Sequence, residues 1–137
     1  MKASAMAAWV AMAIAGCSVD PAPNRIDCDP GLAPCPAETP FGRVVLNISP
    51  RPIVAMNPLQ VAVEAAGPLD DVRIELKGRD MEMGPNMAVL TPLATTRWRG
   101  SVMVPVCTTG RMRWDAVLVL RLGPRTERFT FGFDAGG

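Results

Sequence analysis

Val72-Arg73-Ile74-Glu75-Leu76-Lys77 decides how this chain folds. Its apolar residues fall at every second position and its charged residues at the positions between, the period of a strand with one face buried and one face in water. The same period recurs on either side. Upstream, Arg43 to Ser49 alternates through Val44, Leu46 and Ile48, and Leu59 to Ala65 through Leu59, Val61 and Val63. Downstream, a short strand is expected from Met87 to Leu90. Arg97 to Val106 then places Val102, Val104 and Val106 on one face, Met112 to Leu122 does so with Met112, Trp114, Ala116, Leu118 and Leu120, and Phe129, Phe131 and Phe133 end the pattern.

Turn formers separate these runs: Ser49-Pro50-Arg51-Pro52, Asn57-Pro58, Gly67-Pro68, Thr108-Thr109-Gly110 and Gly123-Pro124. No segment carries a long helical periodicity. About seven short strands with turns every 8 to 12 residues are the signature of an all-β, immunoglobulin-like β-sandwich, expected over residues 41–137.

The N-terminus has a different character. Lys2 precedes an apolar run from Ala3 to Gly16, interrupted only by Ser4 and too short to span a bilayer, so residues 1–16 read as an export signal. It ends Ile14-Ala15-Gly16-Cys17, which resembles the bacterial lipobox: an aliphatic residue, two small ones, and the cysteine that becomes the lipidated N-terminus. A plain signal peptide leaves the cysteine at the cut unexplained. The resemblance implies a lipoprotein anchored at Cys17 and facing the periplasm, and Ser18 after the cysteine implies sorting to the outer membrane in a Gram-negative host.

Residues 17–40 are rich in proline, at 21, 23, 30, 34, 36 and 40, and read as an extended tether. Cys28 and Cys35 lie within it, and in an oxidising compartment a disulfide between them is the expected default. Their six-residue spacing matches neither a thioredoxin-type motif nor common zinc spacing. Pairing of Cys107 with either of them stays open.

Charge and composition exclude several functions. The chain has 14 basic and 13 acidic side chains, and removal of Lys2 makes the two equal. The arginines are scattered singly, so no basic face for nucleic acid is present. Histidine and tyrosine are absent, and Ser49 and Ser101 have no glycine elbow or base beside them, so the chain is not expected to be an enzyme. Asp70-Asp71, following Gly67-Pro68-Leu69, reads as a turn.

The stretch with chemistry to offer is Asp80-Met81-Glu82-Met83-Gly84-Pro85-Asn86-Met87. Of nine methionines, three fall in the export signal and three here. In an extended segment Met81 and Met83 point the same way, and a Gly84-Pro85 turn brings Met87 back toward them. Thioether sulfur is soft and uncharged, which suits Cu(I) outside the cytoplasm. Core packing is the competing account, since methionine fills irregular gaps. Yet a purely alternating core strand has no use for Gly-Pro between its methionines.

A second constellation, Val106-Cys107-Thr108-Thr109-Gly110-Arg111-Met112, sets Cys107 and Met112 on either side of a turn. A hairpin there brings the two sulfurs together, whereas a buried small hydrophobe accounts for Cys107 equally well. Trp98 reads as core. Trp114, two residues beyond Met112 on the same face, is the candidate wall of a site.

The order of a strand, Met81-Glu82-Met83-Gly84, Asn86, an apolar strand, Trp98-Arg99-Gly100 and then Met112-Arg113-Trp114 resembles the periplasmic YtkA-like and FixH-like group of small immunoglobulin-like domains. The resemblance spans roughly Pro58 to Leu122. It implies a sandwich with a methionine-bearing rim that binds or delivers Cu(I), in the setting of copper handling and oxidase assembly. Met81 and Met83, then Met87 and Met112, sit where that pattern puts ligands. No histidine accompanies them, which leaves an all-sulfur Cu(I) site and argues against Cu(II).

The function expected is copper carriage, buffering or chaperoning by a membrane-tethered lipoprotein. Cu(I) would be held by Met81, Met83 and one of Met87, Met112 or Cys107, with a copper donor or acceptor protein as partner. The alternative is an interaction or structural lipoprotein that uses the methionine loop as a contact surface, or as a lid with no ligand.

Overall fold

A computed structural model describes residues 24–106 and 110–136. Ten strands run in chain order: β1 (Arg25–Ile26), β2 (Cys35–Thr39), β3 (Gly42–Ser49), β4 (Pro58–Ala65), β5 (Asp71–Gly78), β6 (Met87–Val89), β7 (Thr91–Ala94), β8 (Arg97–Met103), β9 (Met112–Leu122) and β10 (Arg125–Ala135). There is no helix among the described residues. The strands form two five-stranded sheets, ordered β1-β10-β9-β5-β6 and β2-β3-β4-β8-β7.

The expected β-sandwich is what the chain forms. Within it, β3-β4-β8-β7 and β10-β9-β5-β6 follow the strand order of immunoglobulin domains with one added edge strand, β8 returning beside β4 and β9 beside β5. The strict alternation explains why. Val72, Ile74 and Leu76 of β5 are buried, each worth about 1.5–3 kcal/mol against exposure, and they share one core with Leu46, Val61 and Val63 of the other sheet. Trp114, Phe131 and Phe133 are the largest of the fully buried side chains.

Three strands lie outside the seven expected. The most consequential is β2, because the tether expected through residue 40 is part of the sandwich from Asn24 onward: β1 pairs in parallel with β10, and β2 pairs with β3. Pro36 does not prevent this. Strand β2 is an edge, and Pro36 is exposed while Cys35 and Ala37 are buried on either side of it. In the other direction, β8 ends at Met103 rather than Val106, ahead of Pro105, which has no N–H to give a ladder.

The β9–β10 hairpin turns on Gly123-Pro124, with Leu122 and Arg125 opposed. Gly123 has φ of 59°, and proline cannot take a positive φ, so this is the glycine-first, II′-type turn that matches strand twist. The Asp70 carboxylate accepts a hydrogen bond from the Gly123 N–H at 2.7 Å.

The outer face of the β5–β9–β10 sheet carries a second layer. Val117, Val119 and Thr130 are buried there, outside the inter-sheet core. Glu75 on the same face pairs with Arg128, Lys77 and Arg73, and the stems of such long side chains shield apolar surface while their charged ends stay in water.

Candidate functional site

The site is built around Gly78, the last residue of β5. A Cβ placed there would run into Met112 Cε and the Met81 carbonyl oxygen and stand 3.4 Å from Met83 Cγ. Only glycine leaves room for this approach. Met83 and Met112 therefore meet over one bare backbone position, Met112 almost wholly buried and Met83 packed against the core from the loop side.

Residues 79–86 connect β5 to β6, and their backbone is pinned at both ends. The Arg79 N–H donates to Arg113 O at 3.0 Å, and the Leu76 N–H donates to Asn86 O at 2.7 Å. Asn86 Nδ2 in turn donates to Met103 O at 2.8 Å, tying the loop to the opposite sheet. Gly84 has φ of 77°, a conformation glycine adopts without strain, and Pro85 follows it. The turn returns the chain so that Met87 pairs with Glu75 in the β5–β6 ladder.

These constraints shape a cleft of about 630 Å³ whose walls include Met81, Met83 and Met87 together with Glu75, Asp80 and Glu82. Met81 is 40% exposed and Met87 51%, so both cleft-lining side chains are open to solvent. The loop thus presents Met81 and Met87 on its open side, with Met83 and Met112 packed behind them around Gly78. Among the described residues no group of three histidine, cysteine or carboxylate side chains is arranged to hold a metal; the cleft wall carries three methionines beside the carboxylates of Glu75, Asp80 and Glu82.

Other residues singled out from sequence fall differently. Trp114, expected as a wall, is buried at 1% exposure: it opposes Gly78 across the β5–β9 ladder, and the even positions of β9 face the core. Trp98 is core, as its alternation required. Cys28 and Cys35 are joined by a disulfide, with Cα atoms 5.7 Å apart. Cys17 and Cys107 lie outside the described residues.

Sequence reasoning passed over Met56 and Met103. Strand order brings them to the same end of the sandwich: Pro58 at the start of β4 opposes Met103 at the end of β8, and the Met56 N–H donates to Val104 O at 2.8 Å. Met81 and Met83 lie between β5 and β6, and Met112 opens β9, which pairs antiparallel to β5. All six methionines among the described residues therefore gather at one end of the molecule. The only sequence signal for Met56 and Met103 was their position beside turns.

Behind the loop, Arg25 and Arg79 both reach Asp115. Arg25 donates to its two oxygens at 3.1 and 3.2 Å, and Arg79 donates at 2.7 Å. Partial burial by itself would raise the Asp115 pKa, but the hydrogen bonds and charges of the two guanidinium groups outweigh it and hold the carboxyl below its ordinary value. Because Arg79 opens the methionine loop, this ion cluster anchors the loop to the sheet.

No protein-family model matches the chain, and no curated protein matches it. Among solved structures, the crystal structure of an engineered protein is similar over 71% of this chain, at 16% sequence identity and a TM-score of 0.49. The match spans 21% of that protein's length.

Proposed function

We propose that this chain is a membrane-tethered lipoprotein of the cell envelope whose sandwich binds Cu(I) as cargo, for carriage, buffering or oxidase assembly. The observation that carries the reading is the gathering of all six methionines among the described residues at one end, four of them around Gly78 and its cleft. Core packing accounts for Met112 and for Met83 beside it, but not for the rest. Met81 and Met87 are open to solvent, whereas a gap-filling methionine is enclosed. The resemblance to the YtkA-like and FixH-like group supports the same reading.

Met81, Met83 and Met112 or Met87 would hold the ion. Neutral thioethers release no proton on binding, so affinity stays flat between pH 5 and 8 unless the Cys107 thiolate joins them, in which case affinity falls on acidification. Few and neutral ligands suit exchange with a partner's soft donors.

The exposed apolar rim favours a second reading, a contact surface for another envelope protein: Met56, Met87 and Val106 are each more than half exposed. Isosteric substitution separates the two. An anaerobic Cu(I) competition titration against a chromophoric chelator, with X-ray absorption on the loaded sample, is expected to show one tightly held ion with sulfur-only neighbours. Loss of that ion in Met81→Leu/Met83→Leu supports carriage. Unchanged Cu(I) affinity in the double variant rejects it, since leucine preserves contact surface but not the sulfur.

A further inference from the structure

Met56 and Met103 belong to a part of the surface that the cleft does not use. Met56 precedes β4 and Met103 ends β8, on the sheet opposite β5 and β6, and the β4–β8 pairing brings their backbones to one place. Both are open to solvent, Met56 at 55% and Met103 at 41%. Met56 is also held at φ of 65°, a left-handed conformation that costs a side-chain-bearing residue energy and that glycine or asparagine would take more cheaply. Asn57 stands next to it, so the turn does not lack a suitable residue; methionine occupies the strained position all the same. Positions held in this conformation by residues other than glycine are over-represented at functional sites.

We infer that Met56 and Met103 form a second soft-metal station, a two-thioether site for Cu(I) or Ag(I) on the opposite sheet from the cleft. This rests on the soft-metal reading of the cleft. Two neutral sulfurs leave coordination positions open, so an incoming protein can add its own sulfur before the ion moves, and the station serves loading and unloading while the enclosed Met83–Met112 side retains. Asn86 joins the two stations. Its side chain donates to Met103 O, its carbonyl accepts from Leu76, and Met87 of the cleft follows it in the chain.

The test is an Ag(I) titration of the full-length chain in detergent micelles, with methionine methyl groups labelled with 13C and assigned by single Met→Leu variants. Silver(I) stands in for Cu(I) without redox chemistry. Two steps are expected: the methyls of Met81, Met83 and Met112 shift first, and those of Met56 and Met103 shift as a second equivalent is added. Met56→Leu/Met103→Leu is expected to lower the stoichiometry from two ions to one and leave the first step intact. Shifts at Met81 and Met83 with Met56 and Met103 unmoved at two equivalents overturn the second station while the cleft stands. No methyl shift anywhere overturns both.

Discussion

Met112 Cε occupies the space where Gly78 would carry a side-chain carbon, so the two residues interlock across the β5–β9 pair. Gly78→Ala is the smallest change that breaks this contact. The added methyl meets both a flexible thioether and the rigid Met81 carbonyl, and the carbonyl cannot move without the loop. A loss of about 1–3 kcal/mol is expected in urea unfolding, the range for overpacking, with displaced amide resonances confined to residues 79–86 and the start of β9. An alanine variant as stable as the parent, with an unshifted loop, would contradict the geometry.

Met83 and Met112 differ in burial from Met81 and Met87, and stability should sort them. Met112→Leu conserves volume and is expected to cost under about 1.5 kcal/mol, whereas Met112→Ala opens a cavity and costs about 2–5 kcal/mol. Exposed Met87→Ala should stay within about 0.5 kcal/mol. Chemical denaturation of the three variants checks the ranking.

Much of this arrangement was legible because every second residue in β3, β4, β5 and most of β9 is apolar, and a one-residue slip would turn that core face into water. Strand β7 carried no such signal. Its residues Thr91, Pro92, Leu93 and Ala94 are all exposed, so burial imposes no pattern on them. Strand β2 was hidden by Pro36 and the prolines on either side of it, Pro34 and Pro40, which suit an edge as well as they suit a linker. Met81, Met83 and Met87 stood out because they are neighbours in sequence. Met56 and Met103 did not, since only the order of strands across a sheet makes them neighbours, and hydrophobic period carries no information about strand order.

The cluster of Arg25, Arg79 and Asp115 predicts how stability changes in acid. The folded-state pKa of Asp115 is lowered from its ordinary value of 3.8. Its contribution is thus fully present above that value and is lost as the pH falls through the lower, folded one. Asp115→Asn removes the charge and is expected to destabilise by about 1–3 kcal/mol at neutral pH, because two guanidinium groups lose a charged acceptor. Urea midpoints recorded from pH 7 to pH 2 check it: the parent should lose its advantage over the variant below pH 4, and a constant gap would count against the ion cluster.

The disulfide between Cys28 and Cys35 tests whether residues 24–40 are tether or domain. A bridge in a free tether constrains chain that is unfolded in both states, so its removal leaves the unfolding of the sandwich unchanged. Here the bridge closes the connection between β1 on one sheet and β2 on the other, and Cys35 is fully buried beside Leu46. Its loop lies against the core as well, with the Gly31 backbone near Ile53 and Phe133. Loop-closure entropy for so short a ring is about 2.5 kcal/mol. Cys28→Ala/Cys35→Ala is accordingly expected to lower the unfolding free energy by about that amount and to speed amide exchange in β2 ahead of β3. Equal unfolding midpoints for the parent and the double variant would return these residues to the role of a spacer.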